Sequence, residues 1–119
     1  MASNGIAGLI IETHNWGKTV AFWTGLGYEV DFETDHNSGQ LSHPAGGPWL
    51  FVAEVPADHT PELQPIVHID DARAFEPPAA GRVDRPFVEQ HWDVQEMLLL
   101  DPDERHVSVQ APLSKSASH

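Results

Sequence analysis

The hydrophobic pattern of this chain runs through one series of elements and then partly begins it again, which restricts the fold more than any single motif does. From Gly5 to Glu12 (GIAGLIIE) a β-branched cluster predicts a strand. Asn15 stands where a helix N-cap is needed, and from Trp16 to Leu26 the apolar residues Val20, Phe22, Trp23 and Leu26 recur at helical spacings. Gly25 and Gly27 close that helix. Tyr28 to Thr34 (YEVDFET) alternates apolar with acidic residues, the period of a half-buried strand. A turn at Asn37 to Gly39 leads to a short strand around Gln40 to His43. After the turn PAGGP (Pro44 to Pro48), Trp49 to Val55 is a further strand.

The polar interval from Pro56 to Pro65 reads as a linker. Beyond it, Ile66 to Ile69 is a strand ending in Asp70 and Asp71, as the first strand ended in Thr13 to Asn15. Further strands are expected at Arg82 to Gln90, Val94 to Leu100 and His106 to Gln110. The helix does not repeat, because Asp71 to Gly81 (DARAFEPPAAG) allows at most a turn or two before Pro77 and Pro78. The pattern therefore predicts an α+β fold of two βαβββ modules, at about 5–56 and 64–112, with the second helix truncated. One domain spans residues 1–119, with a tail at 113–119.

Charge narrows the partners. With 18 acidic and 6 basic residues the formal charge is −12, a field that repels phosphate backbones and anionic lipid. Nucleic acid and membrane surfaces are excluded as partners, and a cationic or neutral small molecule is favoured. The chain has no cysteine, so disulfides, thiolate nucleophiles and cysteine-ligated zinc are excluded. Apolar runs such as Met97 to Leu100 are too short to span a bilayer, and Met1 to Gly8 lacks the features of a signal peptide, so a cytoplasmic location is expected. No glycine-rich nucleotide motif follows a strand, and no serine nucleophile elbow is present.

Two stretches carry a resemblance. TVAFWTGLGYEV (Thr19 to Val30) resembles the helix-to-strand passage of the vicinal oxygen chelate superfamily, which includes glyoxalases, bleomycin resistance proteins and dioxygenases. MLLLDPDERHVSV (Met97 to Val109) resembles the superfamily's closing hairpin, with Glu104 and Arg105 where Gly-Asn is usual. HWDVQEMLLLDPDE and FWTGLGYEVDFETD are most similar to the bleomycin-resistance branch, whose members are small acidic dimers that sequester a cationic antibiotic. The resemblance implies a mixed sheet curled around a cavity. It also implies four inward strand positions for metal ligands, and these fall at Gly8, Val52, Gln64 and Ser108. Gly and Val carry no ligand atom and neutral Gln and Ser bind divalent metals weakly, so neither a metal nor another cofactor is expected.

Strand alternation places His68 with Gln64, and His106 with Ser108. It adds Glu12 to the face of Gly8 and Ile10, and Glu54 to that of Leu50 and Val52, while Glu96 lies on the next-to-last strand with either facing open to it. Trp49 and Trp92 stand at strand mouths, where an indole can stack on a flat ligand or attract a cation. The expected ligand-binding set is therefore Trp49, Val52, Glu54, Gln64, His68, Trp92, Glu96, His106 and Ser108. His14, His36, His43, His59 and His119 fall in turns or tails.

The leading expectation is a protein that sequesters a cationic or aromatic small molecule without metal. The alternatives are an enzyme of the same fold and an interaction module. The enzyme would be a metal-dependent lyase or dioxygenase type, or one using Glu54, Glu96 or His68 for proton transfer. A homodimer is also expected, because the truncated helix would leave Val67, Ile69, Val107 and Val109 for a two-fold partner to cover.

Overall fold

The computed structural model describes residues 2–113; the rest of the expected tail, His119 included, lies outside the described residues. Two compact units emerge. The first comprises residues 7–64, and the second joins the N-terminal residues up to Ile6 to the chain from Pro65 onward.

The first module holds β1 (Ile6–Thr13), α1 (Trp16–Thr24), β2 (Glu29–Glu33), β3 (Ser38–Ser42) and β4 (Trp49–Glu54). Its strand order is β2-β3-β4-β1, with β1 parallel to β4 and the other pairs antiparallel. The second holds β5 (Leu63–His68), one 3-10 turn (Ala72–Ala74), β6 (Arg82–Gln90), β7 (Val94–Leu100) and β8 (His106–Pro112). Its order, β5-β8-β7-β6, repeats the first, again with the first and last strands parallel. The α+β fold of two βαβββ modules with a truncated second helix is what the pattern predicted. No helix among the described residues is long and apolar enough to cross a membrane.

Helix α1 starts where Asn15, in extended backbone, accepts a hydrogen bond from the Lys18 amide at 2.9 Å. A second orphan amide, that of Trp16, donates to Glu54 Oε2 at 3.1 Å. The helix ends at Thr24, two residues before the expected Leu26. Gly27 then turns the chain at φ +101°, with the His43 ring 2.8 Å from where a Cβ would stand.

The first module's core is Leu41, Leu50 and Val52, packed by Leu9, Ile11, Trp16, Val20, Trp23 and Tyr28. Because β1 and β4 pair Ile11 with Val52 and Gly8 with Trp49, the two faces are fixed. Leu9, Ile11, Leu50 and Val52 lie on the helix side, while Gly8, Ile10, Glu12, Trp49, Phe51 and Ala53 lie on the other. The expectation that Leu50, Val52 and Glu54 share a face with Gly8 is corrected by one residue of register, which reverses every side chain of the strand. The cause is size. The Trp49 indole crosses the sheet over Gly8, 2.6 Å from where a Cβ would stand, so only glycine fits opposite it. At the margin, β2 pairs with β3 alone and all five of its residues are exposed.

In the second module Asp71 caps the 3-10 turn by accepting from the Arg73 amide at 3.0 Å. Phe75 follows in extended backbone and packs edge-on against Phe87, 6.2 Å between ring centres. Together with Ala72, Phe87 and Val107 it covers a core of Ile69, Met97, Leu99, Val109 and Ala111. Ile69 and Val109 are buried, and Val67 and Val107 are half-buried. The face expected to need a partner is thus covered by the short loop itself, apart from a groove of about 290 Å³ lined by Val67, Phe75, Leu99 and Val107. Between β7 and β8, the Asp101 carboxylate accepts from the amides of Asp103 and Arg105 and from Arg105 Nε, each at 2.9 Å. These bonds hold Glu104 at φ 65° without a glycine.

Candidate functional site

On β7, Met97 and Leu99 enter the core, so Glu96 and Leu98 point to the opposite side; on β8, Val107, Val109 and Ala111 do the same and leave His106, Ser108 and Gln110. Antiparallel pairing sets Glu96 beside Gln110 on one flank and beside Val88 on the other. The result is a buried polar layer centred on the Glu96 carboxylate, which is only 7% exposed. Its Oε1 accepts from Arg85 Nη2 at 2.7 Å and Gln90 Nε2 at 3.3 Å. Its Oε2 accepts from Ser108 Oγ at 2.5 Å and Gln110 Nε2 at 3.4 Å. Gln110 also donates to Ser108 Oγ at 2.9 Å, and its Oε1 receives the Trp92 indole N–H at 3.5 Å.

A carboxylate in such a place costs several kcal/mol unless its lone pairs are met; here four donors meet them. The same saturation limits its chemistry. Glu96 has no spare acceptor position for a substrate proton, which removes the geometric condition for a general base. Ser108 has a carboxylate partner as an activated nucleophile would, but it is fully buried and has no route to a substrate. What reaches the surface is the edge of the layer: the Arg85 side chain at 41% exposure, the Trp92 indole at 46%, and Val88. Trp92 sits on the turn between β6 and β7, edge-on to His91 with 4.9 Å between ring centres. Asp93, at φ 67°, completes that turn.

The structure brings Trp92, Glu96 and Ser108 into one network and sets His68, paired in register with Gln110, on the same side. His106 is on that side too, its Nε2 2.9 Å from Asp84 Oδ2. The remaining candidates are in the first module. Trp49 covers Gly8 on the side away from the helix, and Gln64 donates to Glu62 at 3.1 Å. Val52 is fully buried under α1. Glu54 is exposed and holds the helix start, accepting from Asn37 Nδ2 at 2.7 Å and from the Trp16 amide. Those two bonds, Asn37 first, lower its carboxyl pKa below the usual glutamate value.

Sequence reasoning missed Arg85, Gln90 and Gln110. Gln110 was signalled by its place two residues after Ser108. Arg85 was hidden by Pro86 and by two register shifts that break the alternation of β6.

The four positions that the resemblance assigns to metal ligands do not suit a metal. Gly8 lies beneath Trp49, Val52 is in the core, Gln64 is bound to Glu62, and the Ser108 hydroxyl is spent on Glu96. Among the described residues no group of three or more His, Cys, Asp or Glu side chains is arranged to hold a metal ion.

No protein-family model matches the sequence, and no curated protein matches it significantly. Solved structures do match. A glyoxalase/bleomycin resistance protein/dioxygenase superfamily member from Vibrio splendidus 12B01 aligns over 87% of this chain and 96% of its own, with 15% identity and a TM-score of 0.64. A protein described as an NAD-dependent benzaldehyde dehydrogenase from Legionella pneumophila aligns over the same shares, with 12% identity and a TM-score of 0.59. At such identities the likeness is one of fold, and the chain has the vicinal oxygen chelate fold of the glyoxalase/bleomycin resistance/dioxygenase superfamily.

Proposed function

We propose that the polar side of the second module binds a flat, aromatic small molecule, without a metal and without transforming it. The observation that carries this reading is the polar layer around Glu96, whose carboxylate is met by four donors and which ends in an exposed indole. An apolar layer of equal volume would stabilise the sheet as well or better, so stability alone does not account for it. The bonded carboxylate instead fixes the positions of Arg85, Gln90 and Trp92 before a ligand arrives. Trp92 and Val88 offer the apolar contact, and His68 and His106 extend the same side.

Of the two ligand classes expected from the sequence, the aromatic one is favoured. The carboxylates on this side are already engaged, Glu96 by Arg85 and Asp84 by His106. Glu96 is taken up by four donors and Ser108 is fully buried, which favours binding over catalysis by these two groups.

The test is a screen of aromatic fragments by two-dimensional NMR, watching the Trp92 indole N–H. Binding should perturb that signal and be lost in Trp92→Ala. Replacing the charged pair by Arg85→Met with Glu96→Leu should keep the fold and abolish binding. Fragments that bind elsewhere and leave the indole signal unmoved would overturn the reading.

The expected homodimer is proposed through the first module, whose helix side exposes Phe22, Leu26 and Val30. The loop-covered face of the second module no longer supplies the argument for it.

A further inference from the structure

The basic residues of this acidic chain are concentrated in the second module, although acidic residues outnumber them there too. Four of the six basic residues, Arg73, Arg82, Arg85 and Arg105, fall between positions 73 and 105, among eight acidic ones, and each is paired with a carboxylate. Arg85 is the arginine that belongs to the polar layer. Its fork carries five N–H donors, of which Nη2 is engaged with Glu96 at 2.7 Å. Nε is buried without a partner among the described residues and is closed to a ligand, although 41% of the side chain is exposed. The guanidinium is therefore anchored through Nη2, and the donors it can offer a ligand are those of its outer Nη1–Nη2 end, in a layer whose carboxylate is already satisfied.

From this we infer that the ligand of this face is an anion: an aromatic body bearing a carboxylate, the ring on Trp92 and the carboxylate on the free edge of Arg85. The inference rests on the binding reading above and narrows it. A guanidinium edge matches two carboxylate oxygens in one plane, a fit that an ammonium lacks. A cationic ligand would meet Arg85 as a like charge, while Glu96 and Asp84 on this side are already engaged by Arg85 and His106. The glutamate at the centre thus orients the arginine, and the arginine reads the ligand.

Three probes of one shape separate the possibilities: naphthylacetate, naphthylacetamide and naphthylethylamine, titrated against the whole chain with the Trp92 indole N–H as reporter. The anion should bind about tenfold or more tightly than the neutral amide, the worth of one charge-assisted hydrogen bond. Arg85→Lys keeps the charge and loses the planar fork, so part of that preference should go. Arg85→Gln with Glu96→Gln keeps the layer neutral and bonded, and should bring anion and amide to the same affinity while the amide still moves the indole signal. Equal binding of all three probes, or tightest binding of the amine, overturns the anion inference and leaves the binding face standing. If none moves the Trp92 signal, the binding face itself is overturned and the inference with it.

Discussion

Ser108 on β8 donates its hydroxyl hydrogen to Glu96 on β7 at 2.5 Å, joining two adjacent strands through side chains that are both buried. Ser108→Ala removes one of four donors to a buried carboxylate and should cost about 1–3 kcal/mol. Glu96→Ala is expected to cost more, about 3 kcal/mol or above, because it strands Arg85, Ser108 and Gln110 together. Urea denaturation of the two single variants and the double variant checks this. Losses that simply add would show that the pair is not coupled.

Gly8→Ala should be felt at Trp49. A Cβ at position 8 would stand 2.6 Å from the indole, so the ring must move, at an expected cost of about 1–3 kcal/mol. The measurement is the tryptophan emission maximum alongside the denaturation midpoint. An unchanged spectrum and midpoint would mean that Trp49 does not lie over Gly8.

Glu54 gives the first module an acid-side dependence. Its folded carboxyl pKa lies below the ordinary 4.5, held there by Asn37 and the Trp16 amide. The stability it contributes is therefore present above the unfolded value and is lost as pH falls through the folded one. Glu54→Gln should lower the midpoint at neutral pH and flatten its fall on acidification below about pH 4.5. Parallel curves for wild type and variant would refute the link.

Glu104→Gly is expected to stabilise. A non-glycine residue in the left-handed region costs on the order of 1 kcal/mol, and Glu104 is at φ 65°. The ion pair with Arg82 that would be lost is exposed and contributes little. A net gain of about 0.5 kcal/mol or more by chemical denaturation is the expected result. A loss would show that the Arg82 contact outweighs the backbone strain.

What could be read from the sequence was whatever periodicity encodes. The repeated order of strands, the Asn15 cap and the missing second helix follow from spacing, whereas Ser108 was placed by the family resemblance and the facing of Glu96 was left open. Spacing separates the two faces of a strand but does not say which one meets the helix. That choice turned on Trp49 needing a glycine neighbour, a matter of volume across two distant strands, and it reversed Val52 and Glu54. The covering of the second sheet turned on Phe75, one apolar residue in a proline-rich loop that no period marks. Arg85 was lost for a third reason: Pro86 and the shifted register of β6 break the alternation that would have pointed it toward Glu96.

Strand β2 has a consequence for the solution behaviour of the protein. A strand paired on one side offers a ready row of unpaired amides and carbonyls to any extended segment of another molecule. Here that strand reads EVDFE, with Val30 and Phe32 exposed between three carboxylates. Glu29, Asp31 and Glu33 make the edge mutually repulsive. With all three replaced by their neutral amides the repulsion would vanish and two exposed apolar side chains would remain. Such a variant should turn this margin from a guarded edge into a site of strand-by-strand polymerisation.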